Sequence, residues 1–101
     1  GIVLIGKGTK ILGNSQIMGP AIIGENCILD NVCIGPNSSI GNNSQITNSN
    51  IQNSIVMSDC IINTSIKIRN SIISSNSEIE FKNDLHDEKI FLLGEGTKIL
   101  L

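Results

Sequence analysis

Residues 17–46 read Ile17-Met-Gly-Pro-Ala-Ile-Ile-Gly-Glu-Asn-Cys-Ile-Leu-Asp-Asn-Val-Cys-Ile-Gly-Pro-Asn-Ser-Ser-Ile-Gly-Asn-Asn-Ser-Gln-Ile46. An apolar residue opens a short unit at Ile17, Ile23, Leu29, Ile34, Ile40 and Ile46, and four positions after each of the first five stands a small one: Ala21, Cys27, Cys33, Ser38 and Ser44. The pattern extends backwards to Ile5 and Ile11, with Thr9 and Ser15, and forwards to Ile51, Val56, Ile62, Ile68, Ile73 and Ile79, with Cys60 and Ser77. Steps of six residues dominate, with five-residue steps after Leu29, Ile46, Ile51 and Ile68.

A six-residue period matches neither the 3.6 of a helix nor the simple alternation of a long strand. It matches a short strand plus a turn, repeated. Three such units would form the sides of a prism with about 18 residues per coil, each strand bonding to its equivalent one coil later at about 4.8 Å. The expected fold is all-β: a single left-handed parallel β-helix of hexapeptide repeats, with roughly four to five coils. Openers fill the interior, small residues occupy cramped corners, and Gly and Asn serve the turns because they tolerate left-handed backbone.

Every third opener then shares a face, so Ile5, Ile23, Ile40, Val56 and Ile73 stack, and with them a corner ladder of Thr9, Cys27, Ser44, Cys60 and Ser77. This register separates Cys27 from Cys60 by two coils, about 9 to 10 Å, beyond disulfide reach. It is weaker after Ile46, where the doublets Ile61–Ile62 and Ile72–Ile73, and the pair Ile66 and Ile68, leave the opener ambiguous. An odd count of three cysteines (Cys27, Cys33, Cys60) argues against a disulfide framework and for reduced small fillers, all placed inside by the hexads.

Composition agrees with one unit used many times. The chain has 101 residues, the length of one domain, with 21 Ile, 13 Asn and 12 Ser but only two aromatic side chains. A net charge of −2 supplies no basic footprint for nucleic acid. No apolar run suits a membrane span and no signal sequence opens the chain, so a cytoplasmic location is expected. Gly1 stands where an initiator Met would, which suggests a segment of a longer chain.

From Glu80 the hexads lapse. Residues 80–89 hold Glu80, Asp84, Asp87 and Glu88, four of the nine acids, and read as a loop or cap over the C-terminal end. The division expected is therefore residues 1–79 as coils and 80–101 as a cap and closing strand of the same domain. Leu93-Gly-Glu-Gly-Thr-Lys-Ile99 resembles one more hexad, and the pattern leaves open whether it continues the coil or returns as an edge strand. No cap precedes the first coil, so a preceding domain or partner is expected to cover it.

The hexads resemble the left-handed β-helices of hexapeptide-repeat acyltransferases and of the C-terminal domains of sugar nucleotidyltransferases. Met18-Gly-Pro-Ala-Ile-Ile-Gly-Glu-Asn-Cys27, Ile34-Gly-Pro-Asn-Ser-Ser-Ile-Gly41, Ile51-Gln-Asn-Ser-Ile-Val-Met57 and Phe91-Leu-Leu-Gly-Glu-Gly-Thr-Lys-Ile99 resemble more narrowly the end of the long form of glucose-1-phosphate thymidylyltransferase. That resemblance implies a parent enzyme whose N-terminal nucleotidyltransferase domain joins a nucleoside triphosphate to glucose 1-phosphate with Mg²⁺, releasing pyrophosphate. For this chain it implies a structural and oligomerisation role, as a trimer or dimer, with no catalytic, cofactor-binding or metal-binding residue of its own.

Candidates for chemistry are few. His86 is the sole histidine and the one possible general base for an acyltransferase that would bind acetyl-CoA between coils, but it lies in the acidic segment outside the hexads. One histidine per chain argues against a zinc site of three histidines. Glu25, Asp30 and Asp59 read as solvated turn residues, and Lys67, Arg69 and Lys82 as a small basic patch. Four threonines, none in a Thr-x-Thr pair, make no ice-binding ladder.

Overall fold

Along each short strand, side chains in the computed structural model alternate between interior and surface, and this two-residue alternation sets the architecture. The structure describes residues 1–65 and 67–80, together with the backbone of the strands at 92–93 and 98–100. In chain order the strands are β1 (Val3–Ile5), β2 (Lys10–Leu12), β3 (Gln16–Ile17), β4 (Ala21–Ile23), β5 (Ile28–Asp30), β6 (Cys33–Ile34), β7 (Ser38–Ile40) and β8 (Gln45–Thr47). They continue as β9 (Asn50–Gln52), β10 (Ile55–Val56), β11 (Ile61–Asn63), β12 (Lys67–Arg69), β13 (Ile72–Ile73), β14 (Glu78–Glu80), β15 (Leu92–Leu93) and β16 (Lys98–Leu100).

Successive strands turn from face to face. The first face runs β1-β4-β7-β10-β13-β15, the second β2-β5-β8-β11-β14-β16, and the third β3-β6-β9-β12. Pairing is parallel throughout, with Ile5 over Ile23, Ile23 over Ile40, Ile40 over Val56 and Val56 over Ile73. The chain is a parallel β-helix, as the hexads led us to expect. The closing segment joins the stack: its backbone places Leu93 in register with Ile73 and Ile99 with Ile79. Of the loop or cap expected at residues 80–89, Glu80 instead ends β14, in register with Asn63, and residues 81–89 lie outside the described residues.

The interior is a set of three stacked columns. Ile23, Ile40, Val56 and Ile73 on the first face, Leu29, Ile46, Ile62 and Ile79 on the second, and Ile34, Ile51 and Ile68 on the third are each 2% exposed or less. Fully burying one such side chain is worth about 1.5–3 kcal/mol, and here each also packs against its own kind above and below. The ambiguous doublets are thereby resolved. Ile62 and Ile73 point inward while Ile61 and Ile72 point to solvent, Ile68 is interior, and Ile66 lies outside the described residues. At the first coil the columns are open: Ile5 is 47% and Ile11 40% exposed.

One expectation is corrected. Cys33 is half-buried and faces outward beside Ile34 in β6, and Val32 takes the interior place. The cause is that the small inward residue is tied to the following opener, two positions before it, because those two share one side of the same strand. In a six-residue unit this coincides with four after the previous opener; in a five-residue unit it is three. Ser49, Ser54 and Ser71, likewise buried in five-residue units, obey the same rule.

The missing residue is taken from the corner. Asn26, Asn37, Asn43, Asp59 and Asn76 have positive φ three positions after an opener, whereas Asn31, Asn48, Asn53 and Asn70 have it two positions after. Among the described residues eight of the nine non-glycine positions of this kind are Asn, the side chain best able to bear a left-handed backbone. Corner amides also stack, with Asn31 donating to Asn48 Oδ1 and Asn53 to Asn70 Oδ1.

Asn43 tests this account because it is exposed at φ 60° and its backbone N–H donates to the Glu25 carbonyl oxygen. Asn43→Ala should lower the unfolding free energy by about 1–2 kcal/mol, and Asn43→Gly should remain within a few tenths of a kcal/mol of the parent. Urea unfolding monitored by far-ultraviolet circular dichroism checks both.

Candidate functional site

Since the inward positions are occupied by packing, any recognition must be written on the outward ones. The corner between the first and second faces shows how completely the interior is committed. Thr9 Oγ1 donates to the Gly24 carbonyl at 2.6 Å, Cys27 Sγ to that of Gly41 at 3.1 Å, Ser44 Oγ to that of Met57 at 3.2 Å and Cys60 Sγ to that of Ser74 at 3.2 Å. Thr9 Oγ1 also accepts from Cys27 N–H, and Ser44 Oγ from Cys60 N–H. This is the expected ladder, and it explains its residue types: each position needs a compact group that can bond between coils.

Cys27 and Cys60 are therefore structural. None of the three cysteines is in a disulfide, and Cys27 and Cys60 are buried. Burial raises the Cys60 thiol above its ordinary value of 9.0, opposed by backbone hydrogen bonds from Ser77 and Asn76. A raised thiol makes a poor nucleophile at neutral pH.

The carboxylates do not converge. Glu25 and Asp59 lie on the corner after the first face but two coils apart, about 9 to 10 Å, while Asp30 ends β5 beside a different corner. Asp59 holds one of the left-handed turns, at φ 61°. Among the described residues there is no group of three His, Cys, Asp or Glu able to hold a metal ion. Lys67 and Arg69 are exposed on β12 of the third face, and Lys82 and His86 lie outside the described residues.

What distinguishes the surface is one outer column. On the first face, Leu4, Ile22, Ser39, Ile55, Ile72 and Leu92 stand in register, one per coil. Leu4 is 57% exposed, Ile22 55%, Ile55 48% and Ile72 45%. The corresponding column of the second face reads Lys10, Ile28, Gln45, Ile61, Glu78, Lys98, and that of the third Gln16, Cys33, Asn50, Lys67. Only the first of these columns lacks a charged or amide residue. Near its first coils lies an open groove of 410 Å³ bordered by Ile2, Leu4, Pro20, Ile22 and Ser39, and further along Met57 stands exposed beside Ile55. Apolar patches of this extent usually mark an interaction site. The sequence carried the signal as the doublets Leu4-Ile5, Ile22-Ile23, Ile55-Val56 and Ile72-Ile73, recurring in every third unit.

With this architecture in view, a family model described as the GMPPB C-terminal domain matches residues 17–100. The chain belongs to that family. A second model, bacterial transferase hexapeptide (six repeats), matches residues 3–29. No curated protein matches the chain. The GMPPB-type match identifies a left-handed β-helix of the kind that sugar nucleotidyltransferases carry at their C-terminus. In this GMPPB-type domain the exposed apolar column, rather than any catalytic cluster among the described residues, is the candidate functional surface.

Two measurements check the thiol assignments. In the folded chain a maleimide should label Cys33 first, with Cys27 and Cys60 reacting only in denaturant. Because the Cys60 value is raised on folding, its contribution to stability is complete below the ordinary thiol range and is lost as pH rises through the folded value. Unfolding midpoints should therefore fall on going from pH 7 to pH 10, and Cys60→Ser should flatten that slope.

Proposed function

We propose that the chain is the structural and oligomerisation domain of a sugar nucleotidyltransferase, specifically a glucose-1-phosphate thymidylyltransferase. The observation that carries the reading is the GMPPB-type match over residues 17–100 on a fold whose interior is given over to stacking. The parent reaction joins a nucleoside triphosphate to glucose 1-phosphate, giving a nucleotide-sugar and pyrophosphate, in the cytoplasm. Its chemistry belongs to an N-terminal nucleotidyltransferase domain. The Mg²⁺ of that reaction finds no donor set among the described residues of this chain, where Glu25, Asp30 and Asp59 stay apart. The thymidylyl assignment rests on the Gly-Pro corners, the Ile55-Val56-Met57 run and the closing Leu93–Ile99 hexad. The C-terminal hexads of related guanylyltransferases and uridylyltransferases look alike, and base specificity lies in the N-terminal domain.

A second reading is favoured by the hexapeptide-transferase match at residues 3–29: an acyltransferase domain that binds acetyl-CoA between coils, with His86 as general base.

Pyrophosphate release by the full-length parent, assayed with Mg²⁺, should be fastest with dTTP and glucose 1-phosphate. Faster turnover with GTP would reject the thymidylyl assignment while keeping the class. The 101-residue chain alone should release no pyrophosphate and should self-associate as a dimer or trimer. Acetyl transfer to an amino sugar phosphate, abolished by His86→Ala, would replace the structural reading with the second.

A further inference from the structure

Across its width the first face is lopsided. Its central column is Leu4, Ile22, Ser39, Ile55 and Ile72, and the backbone register carries that column on to Leu92. Two positions before each of the first three central residues, at the corner with the third face, stand Ile2, Pro20 and Asn37; two positions after them come Gly6, Gly24 and Gly41. The coil itself demands these glycines, since a Cβ at any of them would lie 2.6–2.8 Å from backbone atoms of the next coil. One margin of the column is therefore bare. On the opposite side runs the 410 Å³ groove, with Ile2 and Pro20 on one wall, Leu4 and Ile22 on the other, and buried Ala21 beneath.

This cross-section selects a symmetry operator. A two-fold axis parallel to the coil axis exchanges left and right on the opposed face and keeps every level at its own height. The central column of each copy then enters the groove of the other. Across the first level the order becomes Ile2, the partner's Leu4, Leu4, the partner's Ile2, and each Ile2 lies over the bare Gly6 margin opposite. Pro20, Ile22 and Gly24 repeat the arrangement one coil higher. A two-fold axis parallel to the strands would instead set corner column against corner column and bare margin against bare margin. It would also need a central level, which a column of six with its small residue at the third does not offer.

Spacing and area both suit a second copy. Outward residues recur about every 4.8 Å along the coil axis, and another β-helix keeps that spacing at every level. The turns of an α-helix recur at 5.4 Å and would slip by about 0.6 Å per level. Ile2, Leu4, Ile22, Ile55, Met57 and Ile72 are 44–71% exposed. Together they bury on the order of 500 Å² per copy, about 1,000 Å² for the pair, the lower edge of specific interfaces. The contact is isologous and closes on itself. Resting on the assembly role proposed above, we infer that the first face is a homodimer contact in which both coils rise in the same direction. Each central column lies in the other copy's groove and meets its own counterpart level by level.

Analytical ultracentrifugation of the 101-residue chain should show a monomer–dimer equilibrium at roughly tens of micromolar, as befits this area. Ile22→Lys and Ile22→Glu should each weaken dimerisation by at least about tenfold, because the axis brings like charges together. An equimolar mixture of the two variants should regain it. In a Cys33→Ser background, Ile22→Cys and Ile72→Cys should each be joined to their own kind by a short bis-maleimide, whereas Gln45→Cys on the second face should not. Antiparallel copies would instead crosslink the Ile22→Cys chain to the Ile72→Cys chain, and that result overturns the inference while the assembly role stands. Dimerisation untouched by Ile22→Lys puts the contact on another surface, with the same consequence. A parent chain that stays monomeric at millimolar concentration overturns the assembly role as well. Ile22 and Ile72 point away from the interior columns, so unfolding midpoints of the variants should stay near that of the parent. Should a charged variant fail to fold, the crosslinking pair decides alone.

Discussion

Translation by one coil governs everything else in this protein. In a parallel β-helix the nearest neighbours of a residue are its own equivalents about 4.8 Å above and below, so a side chain is acceptable only if it tolerates a near copy of itself at strand spacing. Ile46 lies between Leu29 and Ile62, and Ile51 between Ile34 and Ile68. Branched aliphatic chains interlock in such a column and remain dry. The same constraint acts at the corners, where Asn follows Asn with an amide-to-amide bond. It acts on charge too, because like charges at adjacent levels repel. The outer column of the second face accordingly holds no like charges at adjacent levels, its backbone register running Lys10, Ile28, Gln45, Ile61, Glu78, Lys98.

This explains which parts of the fold were legible in the sequence. Opener spacing gave the face of every strand, and the ladder from Thr9 to Ser77 followed from counting in threes, because stacking repeats one local decision many times. Cys33 was misplaced for a definite reason: position was measured from the preceding opener, whereas the strand ties the inward small residue to the following one. Once the two-residue alternation is the reference, Val32 is the interior residue and the five-residue steps become shorter corners rather than register errors. The outer face was less legible. Ile22, Ile55 and Ile72 each stand beside a true opener, so hydropathy alone made them look like uncertainty about the core, and only the structure separates the inward member of each pair from the outward one.

Residue chemistry was harder to read than position. Cysteine in a short chain invites thoughts of redox or nucleophilic work, yet Cys27 and Cys60 alternate with Thr9 and Ser44 as interchangeable bridges between coils. Asp59, a candidate for a carboxylate pair on composition alone, substitutes for Asn at a left-handed corner. Both residues are consumed by geometry, and the sequence shows only their identity, not the backbone demand that recruits them.

A solenoid of this kind carries information outside in proportion to its length. Each coil contributes one residue to each outer column, so the apolar area of the first face grows linearly with the number of coils while the entropic cost of bringing two copies together is paid once. Six levels from Leu4 to Leu92 stand in this column, and Ser39, at the third, is its one small residue. Coil count thus sets how much apolar surface the face can present.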